Sequence, residues 1–196
     1  LQAVGVKDFV FVIGYLGEKI RMFVEKEYPN LPKTFVVQKD REGLGHAIWS
    51  AREAIRGESE IIIMLGDTIL DVDLGEIIRH PESVLGVKSV EDPREFGVVE
   101  MNEDYRVRRV VEKPRIPRSN MAMVGIYKIR EVDLLLQCLE SNIQQNVRTL
   151  GEFQLTDALM AMIEQGVEMR ALPVNNWFDC GKKEILLETN SMLLEK

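Results

Sequence analysis

"IIIMLGDTILDVDLGEII", residues 61–78, is the stretch on which the fold turns. Ile61, Ile62, Ile63, Met64 and Leu65 follow one another without alternation. Such an unbroken apolar run predicts a strand covered on both faces, the pattern of parallel sheets flanked by helices. In open α/β sheets, ligands bind in the crevice outside the carboxyl ends of these strands. Asp67 stands at that end, directly after Gly66. The dipeptide leaves two roles open: a functional carboxylate, or a turn that caps the following helix.

Upstream, strand-like runs at 8–13 and 34–38 alternate with helical stretches at 17–28 and 46–56. That alternation is the βαβ sign of a doubly wound sheet. Downstream of Asp67 the pattern changes to short strands at 83–91, 96–101, 106–112 and 121–129, which predict a mixed or antiparallel extension. A helix around 131–141, a helix at 156–165 with Thr156 as its cap and Gly166 as its stop, a strand at 167–173 and a final helix at 182–195 complete the expected order. No repeat or linker divides the chain, so 1–196 reads as a single domain. Its first residue is Leu1, and the opening reads as the end of one helix entering a strand. The expectation is a domain that lacks something before it.

The 196 residues carry 25 Lys and Arg against 32 Asp and Glu, a formal net charge of −7. That balance gives no footprint for nucleic acid. The basic residues near 106–118, namely Arg106, Arg108, Arg109, Lys113, Arg115 and Arg118, still suit a small phosphate ligand. No apolar run approaches the roughly 18 residues that span a bilayer. Cys138 and Cys180 suggest neither a disulfide framework nor a zinc site, so a cytoplasmic setting is expected.

Four stretches carry candidate chemistry. "QKDREGLGHA", 38–47, is a strand end followed by a glycine-bearing loop that opens a helix. Such a loop can bring backbone N–H groups and the Gln38 carboxamide against a planar base. It lacks the third glycine of the dinucleotide fingerprint. "VVEKP", 110–114, ends a strand with Glu112 and Lys113. A compact ammonium suits a phosphate and an adjacent carboxylate accepts from sugar hydroxyls; an ordinary solvated charge pair is the alternative. "GEFQLTDALMAMIEQG", 151–166, reads mainly as a core stripe. "NWFDCGKKE", 176–184, places Asp179 in a loop after two aromatics. Two aspartates on one oxygen-rich face are what Mg2+ asks for; a turn role for Asp179 is the alternative.

Taken in order, "VGVKDFVFVIGYLGE", "GLGHAI", "LGDTILDVDL", "DPREFGVVE", "VEKP", "SNMAMVGIY", "GEFQLTDAL" and "WFDCGKKEILLETN" cover nearly the whole chain. This series resembles the sugar-1-phosphate nucleotidylyltransferases, glucose-1-phosphate thymidylyltransferase-like members above all. The resemblance implies a nucleotidyltransferase with a mixed, Rossmann-like sheet flanked by helices. It implies Mg2+ on Asp67 and Asp179, with Asp67, Lys113 and Asp179 catalytic. Gln38 and Gly43 would contact the nucleobase. Gly97, Glu112 and Lys113 would hold the sugar 1-phosphate, and Phe96, Met123, Tyr127 and Trp177 would shape the sugar pocket. Substrates would be an NTP, dTTP or UTP first, and a sugar 1-phosphate, glucose 1-phosphate first. Neither His46 nor His80 is needed as a base, and assembly into a homo-oligomer is left open.

Thr68 follows Asp67 where many members carry Asn. The family's opening strand, its Gly-rich loop with an Arg, and the next Lys have no counterpart in this sequence. The first strand is therefore expected to be missing, with a slot between 8–13 and 60–65. A non-catalytic nucleotidyltransferase-like domain and a nucleotide-sugar-binding glycosyltransferase are the alternative readings.

Overall fold

Strands form where the apolar runs predict them, but two further strands and one further helix flank the carboxylates. The computed structural model describes residues 1–180 and 189–190. In chain order, β1 (Phe9–Ile13), α1 (Gly17–Glu27), β2 (Lys33–Val37), α2 (Leu44–Ser50) and α3 (Arg52–Ile55) come first. There follow β3 (Ile61–Met64), β4 (Thr68–Asp71), α4 (Leu74–Arg79), β5 (Ser83–Ser89), β6 (Gly97–Met101), β7 (Val107–Glu112) and β8 (Met121–Ile129). Last come α5 (Val132–Gln144), α6 (Leu155–Glu164), β9 (Met169–Pro173) and β10 (Asn176–Asp179). The helix expected at 182–195 falls almost wholly outside the described residues. The chain gathers into two compact units, Leu1–Ser59 with Glu131–Met162 and Glu60–Arg130 with Ile163–Lys196.

In the first unit, β1 and β2 pair in parallel, Phe9 opposite Lys33 through Ile13 opposite Val37. This is the expected parallel beginning. Glu18 in the first turn of α1 and Lys26 in its last turn complement the helix dipole. The expected helix at 46–56 is two helices, broken at Ala51. Thr156 does not cap: α6 starts at Leu155 and the Thr156 side chain is buried within the helix. Gly166 does stop it, at φ 92 with its N–H on Ile163.

The second unit is built on β8, buried along almost its whole length. One edge of β8 pairs with β5. The other serves β6 near its start, Val98 opposite Ala122, and β3 near its end, Ile61 opposite Ile129 through Met64 opposite Ile126. β5 pairs in parallel with β9, and β6 antiparallel with β7. The sheet is mixed, as expected. The surroundings of β3 differ from the expectation: its partner is antiparallel and its isoleucines are only half-buried, with Met64 exposed. Among the described residues β1 and β3 each carry a ladder on one edge. An apolar cluster of Ile77, Val84, Val124, Ile126, Leu172 and Val174 packs beneath Leu70, Leu74 and Trp177.

Lys128 sits in β8, 2% exposed, between β3 and β5. Its ammonium donates to the carbonyls of Ile78 and His80, at 2.6 and 2.7 Å, and reaches the Glu60 carboxylate at 3.1 Å. The buried cation thus occupies carbonyls that the end of α4 leaves unpaired. No described helix is long and apolar enough to cross a membrane.

Gly125 breaks the regularity of β8. Its φ is +81, and its carbonyl accepts from the N–H of Leu65 at 2.9 Å. A Cβ there would come within 3.0 Å of the Leu65 Cγ and the Thr68 Oγ1. The glycine thus lets the chain leave β3 and turn through Gly66 and Asp67 hard against β8. Gly125→Ala is expected to lose about 2–4 kcal/mol, from the strained φ together with overpacking. Urea unfolding measures this, and an unchanged midpoint would mean that the turn adapts freely.

Candidate functional site

Asp67 lies in an exposed turn between β3 and β4. It does not cap the next helix. That role belongs to Asp73, whose carboxylate accepts from the N–H groups of Gly75 and Glu76 at 2.8 and 3.3 Å. Asp67 is instead fixed through its main chain: its carbonyl accepts from the N–H of Cys180 at 2.8 Å. β4 pairs antiparallel with β10, Thr68 opposite Asp179 through Asp71 opposite Asn176. Asp179 therefore ends a strand and does not sit in a loop as expected. The ladder sets the two aspartates one residue out of register with each other, although they are far apart in sequence. For Asp179 the main chain is what is described. Among the described residues no group of three or more His, Cys, Asp or Glu gathers to hold a metal ion.

The expected sugar-phosphate residues lie in the same unit. Gly97 and Glu112 are directly opposite across the β6–β7 ladder. Lys113 follows, with its N–H on the Phe96 carbonyl at 3.0 Å and its side chain exposed. Its φ of +39 is rare for a residue with a Cβ, and the proline after it narrows its options further. Phe96 meets Trp177 edge to face, with ring centroids 4.8 Å apart. Among the described residues the buried indole N–H of Trp177 has no acceptor. Tyr127 and Met123 are buried on β8. Burial, with the Glu112 carboxylate nearby, pushes the Tyr127 phenol far above its usual range, so it stays a neutral hydroxyl.

Gln38 and Gly43 meet in the first unit. The Gln38 amide donates to the Gly43 carbonyl at 3.1 Å and lies 3.1 Å from Nδ1 of His46. Gly43 adopts φ 105, and a Cβ there would come within 2.7 Å of the Phe153 carbonyl. The loop is laced to the 152–154 segment: Phe153 N–H donates to Glu42, and Gly45 N–H donates to Phe153, both at 2.8 Å. Arg148 adds an ion pair to Glu42 at 2.6 Å and stacks over the Phe153 ring at 3.9 Å. The Arg148 guanidinium holds the Glu42 carboxyl below its usual range.

Three participants escape the sequence reading. Gly125 is an isolated glycine within a strand pattern, a recognised sign of a bulge or close approach. Phe153 and Arg148 work through main-chain pairing and a long-range ion pair, for which sequence spacing carries no signal.

The family model described as nucleotidyl transferase matches residues 5–196. UTP–glucose-1-phosphate uridylyltransferase AglF of Haloferax volcanii is 28% identical over 204 residues, which cover 100% of this chain and 81% of that protein. Glucose-1-phosphate thymidylyltransferase of Streptomyces antibioticus is 28% identical over 208 residues, covering 100% of this chain and 55% of that one. The bifunctional protein GlmU of Methanococcus vannielii is 32% identical over 200 residues, covering 97% and 45%. This chain spans about half the length of the last two. A solved structure of UDP-glucose pyrophosphorylase complexed with UDP-glucose superposes with a TM-score of 0.80 at 21% identity, covering 100% of this chain and 84% of that one. That likeness bears out the Rossmann-like mixed α/β fold. With the family model matched over almost the full length, the chain belongs to the nucleotidyl transferase family.

Proposed function

We propose that this protein transfers a nucleotidyl group from an NTP to a sugar 1-phosphate, releasing pyrophosphate and forming a nucleotide sugar. The observation that carries the reading is the nucleotidyl transferase match over residues 5–196, beside which the β4–β10 ladder brings the main chains of Asp67 and Asp179 together next to a turn. dTTP or UTP and glucose 1-phosphate are the favoured substrates, and 1–196 acts as one nucleotidyltransferase domain in the cytoplasm.

The sugar phosphate is already ionised at neutral pH, so its oxygen attacks the α-phosphorus without a general base. Catalysis then rests on alignment and on neutralising charge. Lys113 neutralises the phosphate of the sugar 1-phosphate, and Glu112 accepts from sugar hydroxyls across the ladder from Gly97. Gly97 has no side chain to crowd the ligand. Phe96, Met123, Tyr127 and Trp177 supply the apolar wall, and the Trp177 N–H, which has no acceptor among the described residues, is a donor suited to a hydroxyl. Gln38 and Gly43 read the base. The exposed Asp67 carboxylate is a hard oxygen donor of the kind Mg2+ takes, and Asp67 with Asp179 would hold the ion. When bound, Mg2+ would supply charge neutralisation at phosphate oxygens.

The strained Lys113 backbone supports a functional role, because such strain persists where the surroundings enforce it.

A pyrophosphate-release screen of the full-length protein against NTPs and sugar 1-phosphates tests the reaction. Asp67→Asn is expected to abolish turnover far more than it weakens sugar-phosphate binding, and full turnover in that variant would remove Asp67 from the mechanism. Lys113→Ala is expected to raise the KM for sugar 1-phosphate by the equivalent of about 1.5–3 kcal/mol, the worth of a hydrogen bond to a charged group. Lys113→Gly should lose the same binding yet melt above the Ala variant, since glycine relieves the positive φ by about 1 kcal/mol. A normal KM in both would return Glu112 and Lys113 to a solvated charge pair.

A further inference from the structure

Gln38 can offer a ligand either edge of its amide, and the difference is chemical. The NH2 edge donates; the carbonyl edge accepts. Two neighbours in the first unit decide which is used. The Gly43 carbonyl, 3.1 Å from Nε2, can only accept, so turning the amide over would set two carbonyl oxygens against each other. His46 Nδ1, also 3.1 Å away, faces the same NH2 and must present its lone pair. That requires the imidazole proton to sit on Nε2.

The surroundings of His46 favour that tautomer. Its Nε2 faces the Glu42 carboxylate at 3.7 Å. Glu42 is kept ionised by Arg148, which bonds it at 2.6 Å and is itself stacked on Phe153. An anion beside Nε2 draws the proton there and leaves Nδ1 as an acceptor. The rings of Trp49 and Phe153, at 6.0 and 6.4 Å between centroids, flank the imidazole, whose side chain is only 13% exposed. Among the described residues, no donor reaches the Gln38 Oε1.

We propose that His46 is a specificity-determining positioning residue: it locks the Gln38 amide so that Oε1 faces the ligand and accepts a hydrogen bond from a ring N–H of the base. The inference deepens the proposed nucleotidyl transfer and rests on it. Uracil and thymine carry such an N–H at N3, whereas cytosine N3 and adenine N1 carry lone pairs and would meet Oε1 as acceptor against acceptor. The bases matched are those with a protonated ring nitrogen, the pyrimidine-diones first; guanine shares that N–H, and the GTP arm of the test shows whether a purine is also taken.

The charged groups around the imidazole are Glu42 on its own loop, Arg148 behind Glu42, and Arg52, which stacks on Trp49 at 3.9 Å.

Calorimetric binding of UTP, dTTP, CTP, ATP and GTP to the full-length protein, together with 15N NMR of the imidazole, tests the proposal. The expected result is Nδ1 unprotonated and Nε2 protonated at neutral pH, with UTP and dTTP preferred over CTP. His46→Ala should cut the UTP to CTP affinity ratio by about 2- to 10-fold, the worth of one positioned hydrogen bond. His46→Gln, which offers a carbonyl acceptor in place of Nδ1, should restore the ratio. An Nδ1–H tautomer, or a base preference indifferent to residue 46, overturns the inference alone. Failure to bind any triphosphate overturns the nucleotidyl-transfer reading beneath it.

Discussion

The second unit depends on what β8 does with its two edges. β5 takes one edge over most of its length, while the other is divided between β6 near the start and β3 near the end. A divided edge needs a place where one neighbour stops and the next begins. Gly125 lies there, with a positive φ that a residue bearing a Cβ adopts only at a cost. The Leu65 N–H bonds to the Gly125 carbonyl, and the next two residues are Gly66 and Asp67. The placement of the carboxylate is thus a consequence of how a buried strand is shared.

The main chain fixes the positions of Asp67, Lys113 and the glycine loop. Asp67 is held by its carbonyl on Cys180, Lys113 by its N–H on Phe96, and the glycine loop by its exchange with Phe153. The Cα positions of Asp67 and Lys113 are thereby fixed while both side chains are exposed. This arrangement suits charge-neutralising chemistry, in which preorganised groups cost no rearrangement when charge develops.

Much of the fold is legible in the sequence because it rests on local signals. The alternation of apolar runs and helical stretches locates β1 to β3, β5 to β9 and every helix but α4 within a few residues, with α2 and α3 read as one. β4 and α4 are harder to see, since "TILDVDLGEII" alternates too briefly to separate a strand from the helix that follows. Asp73, not Asp67, is the cap, and only the hydrogen bonds of the folded chain distinguish two aspartates so close together. β10 reads as a loop because four residues give little periodicity, yet its pairing with β4 is what aligns Asp179. The parallel environment expected for β3 fails for a related reason: an apolar run reports burial, not the direction of the neighbouring strand. Of the candidate site, the residues themselves come from motif resemblance, while their coupling to Gly125, Phe153 and Arg148 is a property of tertiary contact.

The glycine loop shows why identity at a motif position underdetermines chemistry. A glutamine at the end of β2 offers one donor edge and one acceptor edge, and nothing in "QKDREGLGHA" states which faces outward. The choice is made by an acceptor-only carbonyl at Gly43 and by the tautomer of His46, which in turn leans on the charge state of Glu42. Each link is individually worth about 1 kcal/mol, but they act on one rotation of one amide. Reversing it would require unmaking two contacts at once and placing like against like. A small set of ordinary hydrogen bonds, arranged so that they share a single degree of freedom, can therefore impose a preference larger than any one of them.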